Sequence, residues 1–238
     1  METLLKVEFH CHTIYSRDSL SSLEDVLKKC DERGVDRLAI TDHNTIRGAL
    51  RAQEMDPQRV IVGEEIVTRE GGEILALFVK EEIPRRLPAV EAVRRLKEQD
   101  AFISLSHPFD YSRHGWTRAM LEKVLPDLDA IEIFNSRTLL PETNQRAARY
   151  AAEYQLAGTV GSDAHLLLEV GRTTMALPPF NSAAELREVI WQGEPELKQA
   201  SVWTRLATRY AIWMQKLSPE KFERRRQQAW ENFLTTKE

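Results

Sequence analysis

Two histidines flank a cysteine in Phe9-His10-Cys11-His12, and an acid follows at Asp18. On a β-strand alternate side chains share a face, so His10 and His12 point one way while Phe9 and Cys11 pack the other. Two neutral imidazoles on one face form half of a metal site. An isolated His-x-His is more often a surface or hydrogen-bonded pair, so the rest of the chain must supply further donors. Asp42-His43, Glu64-Glu65, His107, Asn135, and Asp163 with His165 each follow or close a short apolar run. Five of the six histidines occupy such junctions, and His114 is the outlier. Carboxylates beside imidazoles offer mixed oxygen and nitrogen donors, which suit Zn²⁺, Mn²⁺ or Fe better than a thiolate-rich structural site would.

These junctions need strands to hold them. β-branched and aromatic runs predict strands at 6–12, 37–41, 60–63, 73–79, 102–106, 130–134 and 159–161. Between the first two, SSLEDVLKKCDERG offers Ser21 and Glu24 as a capping box, an apolar face of Leu23, Val26, Leu27 and Cys30, and Gly34 as the stop. Comparable amphipathic patterns predict helices at 45–54, 87–99, 117–124, 142–154 and 183–191. This βαβ rhythm argues for a mostly parallel sheet, open or closed into a barrel, in which the loops after the strands' C-terminal ends share one rim. Arg69-Glu70-Gly71-Gly72 is too short for a helix and predicts a hairpin instead. Beyond residue 200, Trp203, Leu206, Tyr210, Trp213 and Leu217 recur at helical spacing, and Ser218-Pro219-Glu220 restarts a helix carrying Phe222, Trp230 and Phe233. The expectation is a domain over 1–200 and a helical appendix over 201–238 whose aromatics pack on that domain, with Arg224, Arg225 and Arg226 solvated.

Composition excludes several classes. In 238 residues, 42% are hydrophobic and 29% charged, with a formal net charge of -4, so no global basicity points to nucleic acid or membrane. Cys11 and Cys30 are too few for a disulfide scaffold and lack Cys-x-x-Cys spacing, which fits a reducing compartment. The opening Met-Glu-Thr-Leu-Leu-Lys lacks a signal pattern and no apolar run reaches membrane-span length. The expected location is cytoplasmic, with no membrane partner; the sequence assigns no oligomeric state.

The segments FHCHTIYSRDS, ITDHNTIRGA, VGEEIVT, LSHPFD, IEIFN and GSDAH, in that order, resemble the PHP family, named for polymerase and histidinol phosphatase. The resemblance covers roughly residues 6–193. It implies an α/β fold, a distorted (β/α)₇ TIM-like barrel, and a metal-dependent phosphoesterase with two or three divalent ions (Mn²⁺, Zn²⁺ or Fe) per chain. It implies His10, His12, Glu65 and Asp163 around one metal, Glu65 bridging to a second held also by His107, and Asp18, His43 and His165 around a third. Asp42 and Asn135 read as residues that orient these ligands. One position departs from the pattern. The family carries a further histidine in a Glu-Val-His-Leu-Leu type strand, where this chain has Glu73-Ile74-Leu75-Ala76-Leu77. Leu75 binds no metal, so the expectation is a depleted second position.

The implied reaction is hydrolysis of a phosphate ester by metal-activated hydroxide, without a covalent enzyme intermediate. Arg113, His114, Arg137 and Arg172 lie in or just after the rim motifs and are candidate donors to substrate phosphate. Nucleotides or short oligonucleotides lead as substrates. The alternatives are a histidinol-phosphate-type small-molecule phosphatase, a noncatalytic metal-bound module, or a binding protein using the basic tail. An amide or ring hydrolase would commonly add a bridging lysine, which these motifs do not offer.

Overall fold

The computed structural model describes residues 3–113, 115–201 and 203–236. Its strands are β1 (Leu5–Cys11), β2 (Arg37–Ile40), β3 (Val60–Val67), β4 (Glu73–Leu77), β5 (Phe102–Leu105), β6 (Ala130–Asn135), β7 (Ala157–Gly161), β8 (Thr174–Leu177) and β9 (Glu194–Glu196). Its helices are α1 (Leu23–Arg33), α2 (Arg47–Met55), α3 (Ala89–Glu98), α4 (Arg118–Val124), α5 (Pro141–Glu153), α6 (Ala183–Val189), α7 (Trp203–Leu217) and α8 (Pro219–Thr236). One sheet holds the strands in the order β7-β6-β5-β4-β3-β2-β1-β8-β9.

β1, β2 and β3 run parallel, as do β5, β6 and β7, and β4 is antiparallel to both of its neighbours. The expected hairpin is therefore present between β3 and β4, closed by Thr68, whose N–H and Oγ both donate to the Gly72 carbonyl (3.0 and 2.8 Å). The sheet curls until its ends approach. His12 N–H donates to the Ala164 carbonyl (2.8 Å) and Ala164 N–H to the His10 carbonyl (3.2 Å), bridging the end of β1 to the chain just after β7. The lower half of β1, Leu5 to Val7, is taken by antiparallel β8. The result is a nearly closed barrel of the seven expected strands, with β8 and β9 added at the seam. Those two short strands escape sequence reading: β9 is Glu-Pro-Glu, fully exposed, with a proline that only an edge tolerates.

α1 begins one residue later than the capping pattern suggests. Ser22, not Ser21, is the cap, its Oγ accepting from Asp25 N–H (3.1 Å), and Gly34 ends the helix at φ 61°. Its buried face is the expected Leu23, Val26, Leu27 and Cys30. Phe9 and Cys11 are both buried but do not share a cluster. Phe9 packs in a smaller group with Ile61, Phe102, Phe180 and Leu186, while Cys11 joins the larger one with Val26, Leu38, Ile40 and Leu105. The pairing of β1 with β2 is irregular between Glu8 and Cys11, which breaks the simple alternation there.

The tail packs differently from the expectation. Trp203, Leu206, Tyr210, Trp213 and Leu217 are exposed, at 54–72%. The face that meets the domain carries Thr204, Ala211 and Gln215, all buried. Gln215 Nε2 donates to the carbonyls of Ser16 (2.9 Å) and Ser19 (2.7 Å), Arg226 Nε donates to that of Ile14 (2.8 Å), and Phe222 is buried beside them. Open loop carbonyls need donors, and the docked faces of α7 and α8 supply them through Gln215 and Arg226. The side chains of Trp230 and Phe233 lie outside the described residues. Among the described residues, no helix is long and apolar enough to cross a membrane.

Candidate metal centre

All eight candidate ligands meet at one end of the barrel. At the first position His10 Nε2 and His12 Nε2 lie 3.0 Å apart. Glu65 brings Oε1 to 3.3 Å of His10 Nε2 and Oε2 to 3.3 Å of His12 Nε2. Asp163 Oδ1 stands 3.7 and 3.4 Å from the same two nitrogens. Tetrahedral donors on bonds of about 2.1 Å stand about 3.4 Å from one another, which is the spacing seen here.

The hydrogen bonds behind the rings fix what those nitrogens present. Ser16 Oγ has one proton, which goes to Asp42 Oδ1 (2.8 Å), so its lone pairs receive His43 N–H (3.0 Å) and His12 Nδ1–H (3.0 Å). His10 Nδ1 donates to the acceptor-only carboxylate of Glu132 (3.0 Å). Both Nε2 atoms then carry lone pairs and face each other at 3.0 Å, an arrangement that calls for a cation between them. Burial would lower the His10 pKa, but Glu65, Asp163 and Glu132 hold it well above the usual imidazole value. Burial likewise would raise Glu65 and Asp163, yet the facing histidines, with Arg113 in the case of Asp163, hold both well below the carboxylate range.

At the third position Asp18 Oδ2 lies 3.2 Å from His43 Nε2 and 3.0 Å from His165 Nε2. His165 Nδ1 donates to the Asp163 carbonyl (2.8 Å), which again turns Nε2 inward. Despite burial, Asp18 pushes the His165 pKa up to about 9. At the second position His107 Nε2 is 3.4 Å from Glu65 Oε1, and Ser106 Oγ donates to that same oxygen (2.5 Å). Sequence reasoning left this position short, but Glu73 Oε2 lies 3.3 Å from His107 Nε2. Three overlapping sets therefore have the composition and spacing to hold metal ions: His12-Asp18-His43-His165, His10-His12-Asp163 and His43-Glu65-Glu73.

The backbone contributes strain. His107 (φ 26°) and Asp163 (φ 52°) sit in the left-handed region, which costs non-glycine residues about 1–3 kcal/mol each. Buried acids pin these turns. Glu132 Oε2 accepts from His107 N–H (2.7 Å) and Asn135 Nδ2 (3.0 Å), and Asn135 Nδ2 also reaches Asp163 Oδ2 (3.2 Å). Glu8 accepts from the N–H groups of Ser162 (3.0 Å), His10 (3.1 Å) and Gly171 (3.2 Å), and burial pushes its pKa up to about 7. Asp42 and Asn135 thus occupy the orienting positions expected of them, while Glu8 and Glu132 went unread because each lies within a strand rather than at its end.

The candidate phosphate donors fare unequally. Arg113 reaches the centre, pairing with Asp163 and donating to Asp110 Oδ2 (3.0 Å) and Asn135 Oδ1 (3.0 Å). Arg137 is buried, with Nη2 on Thr208 Oγ1 of α7 (2.6 Å). Arg172 is half-buried between β7 and β8, its N–H on the Glu169 carbonyl (3.1 Å). His114 lies outside the described residues.

Known proteins resemble this chain in sequence and in fold. The PHP domain family matches residues 8–167, a span that contains all eight candidate ligands, and a second family, PHP-associated, matches residues 141–195. The uncharacterized protein MJ0417 of Methanocaldococcus jannaschii is 38% identical over 181 residues, 74% of this chain and 72% of its own. A Bifidobacterium adolescentis protein assigned as a metal-dependent phosphoesterase has a solved structure that matches with a TM-score of 0.58 at 17% identity, covering 85% of this chain and 99% of that one. PfuEndoQ, a lesion-specific endonuclease of Pyrococcus furiosus, matches with a TM-score of 0.58 at 14% identity, over 82% of this chain and 58% of its own. At those identities the two structures show a common fold. The ordered motifs, the barrel they close and the family match agree: the chain belongs to the PHP domain family.

Proposed function

We propose that this protein is a metal-dependent phosphoesterase that hydrolyses nucleotides or short oligonucleotides. The observation that carries the reading is the convergence of His10, His12, Asp18, His43, Glu65, His107, Asp163 and His165 at one end of the barrel, with Nε2 of His10, His12 and His165 turned inward by the bonds behind their rings. Divalent ions held there would activate water near neutral pH and neutralise the phosphoryl oxygens and the leaving oxygen. His10, His12, Glu65 and Asp163 would hold the first ion, Glu65 and His107 would reach the second, and Asp18, His43 and His165 would hold the third. Glu132 and Ser16 keep the Nδ1 protons of His10 and His12 in place. Arg113, beside Asp163, is the guanidinium placed to meet substrate phosphate.

Among the described residues, the serines and the cysteine nearest the candidate ligands are committed elsewhere. Ser16 donates to Asp42, Ser106 to Glu65 and Ser162 to Glu8, and Cys11 is a buried thiol whose pKa burial holds well above normal. Direct attack by water therefore fits better than a covalent phosphoenzyme. The known fold neighbours include a protein assigned as a phosphoesterase and an endonuclease, which supports the same substrate class. A cavity of about 270 Å³ beside the His107 loop adds a further reason to favour nucleotides. It is lined by Phe109, Tyr150 and Tyr154 with Arg118, Arg146 and Arg149, and the Arg146 guanidinium lies 4.3 Å from the Phe109 ring centre.

The test is a screen of the purified, chelator-stripped chain on an aryl phosphomonoester, an aryl phosphodiester, mononucleotides and a short oligonucleotide, before and after Mn²⁺ or Zn²⁺. Hydrolysis that appears only with metal supports the reading. Full activity in chelator, or no turnover of any phosphate ester with metal restored, overturns it.

A further inference from the structure

The resemblance leads one to expect a histidine of the second metal position at residue 75, where this chain has Leu75, wholly buried and without a donor atom. The geometry nevertheless fills the gap from two residues earlier. β4 runs antiparallel to β3, pairing Leu75 with Glu65 and Glu73 with Val67, so Glu73 stands one step nearer the rim than Leu75 and on the same face. Its backbone is held from two sides, the carbonyl accepting from Ser106 N–H (3.1 Å) and Trp116 Nε1 (3.2 Å). Its carboxylate points at His107, with Oε2 3.3 Å from Nε2, while His107 Nε2 is 3.4 Å from Glu65 Oε1. Glu73, Glu65 and His43 also bring donors within 4.8 Å of one another. Two buried carboxylates this close gain from a shared cation and repel without one.

We propose that Glu73 replaces the missing histidine as a protein ligand of the second metal, completing the set Glu65, Glu73 and His107. A carboxylate in place of an imidazole adds a negative charge and a hard oxygen. That change shifts the position away from Zn²⁺ and toward Mn²⁺ relative to a centre that keeps the histidine.

The inference rests on the metal-centre reading above, and metal counting separates the two. Full-length chain is stripped, reloaded with Mn²⁺ or Zn²⁺, desalted and analysed for metal per chain, with circular dichroism to verify folding. The wild-type chain is expected to retain three Mn²⁺. Glu73→Gln is expected to lose one equivalent, with Mn²⁺ affinity at that position weakened at least about tenfold. Adding Leu75→His to Glu73→Gln should restore the equivalent and raise the Zn²⁺ share. His107→Gln should lose the same single equivalent, and combining it with Glu73→Gln should remove no second one. A folded Glu73→Gln chain that keeps the wild-type count overturns the inference while leaving the centre intact; a wild-type chain that retains no metal overturns the centre itself. Should Glu73→Gln fail to fold, Glu73→Asp decides: weakened Mn²⁺ binding supports the assignment, and unchanged binding overturns it.

Discussion

Glu132→Gln is the sharpest probe of how the centre is held. The side chain is buried, and its two oxygens serve three donors: His10 Nδ1 (3.0 Å) on Oε1, with His107 N–H (2.7 Å) and Asn135 Nδ2 (3.0 Å) on Oε2. Glutamine is nearly isosteric but has only one oxygen. If that oxygen faces His107 and Asn135, the amide NH₂ meets His10 Nδ1. The imidazole must then accept there and move its proton to Nε2, which removes the lone pair aimed at the first metal position. If the amide flips, NH₂ confronts two donors, and the strained turn at His107 loses its anchor. Either way at least one hydrogen bond to a charged acceptor is lost, worth about 1.5–3 kcal/mol.

That energy falls largely on metal binding, since it is the tautomer of His10 that changes. Groups that orient a ligating histidine typically contribute about 10–100-fold in affinity, or about 1.4–2.7 kcal/mol, which agrees with the loss counted from the bonds. The assay is equilibrium dialysis of the stripped chain against buffered Mn²⁺, with thermal melting of the metal-free chain alongside. Glu132→Gln should shift the tightest binding isotherm by about 10–100-fold, and excess Mn²⁺ should recover much of the hydrolytic activity. A variant that binds Mn²⁺ within about twofold of wild type, against the shift expected from the lost orienting group, would refute the claim that Glu132 sets the tautomer.

Three further outcomes are expected. In Gly161→Ala the new Cβ would stand 2.5 Å from His10 Cβ and 2.6 Å from Glu132 Oε1, so the variant should lose about 1–3 kcal/mol of stability along with metal, read by calorimetry and metal analysis. Gln215→Ala removes both donors to the Ser16 and Ser19 carbonyls on the loop that carries Asp18; it should cost about 1–3 kcal/mol in denaturant titrations and release one metal equivalent more readily than wild type. Cys11 and Cys30 are buried, and burial pushes the Cys30 thiol up to about 12 and the Cys11 thiol well above its usual value. Both are therefore neutral at pH 8, and an aromatic disulfide reagent should find no reactive thiol in the native chain and two after denaturation.

What the sequence reveals here depends on strand direction. In a parallel barrel the rim is always the C-terminal end of a strand, so a polar residue closing an apolar run can be read as a rim residue. His10, His12, His43, His107, Asp163 and His165 are legible on that ground alone. Glu73 is not, because the same rule assigns it to the far end: it opens β4, and only the reversal of β4 against its neighbours carries that opening residue to the rim. The Arg69 to Gly72 turn signals the reversal, so the information was present, but it is of a different kind, a direction rather than a residue type. Glu8 and Glu132 are harder still. Each lies within a strand next to an irregular pairing, between Glu8 and Cys11 in β1 and between Glu132 and Phe134 in β6, and it is these shifts, invisible in a period-two pattern, that accompany their turn toward the backbone amides of the site. The tail shows the same limit from the other side. Helical periodicity in α7 identifies an apolar stripe of large side chains, yet the face that docks is another one, carrying Thr204, Ala211 and Gln215, and Gln215 donates to two loop carbonyls. Periodicity reports what a helix or strand could bury, whereas direction, register and unsatisfied backbone groups decide what it meets.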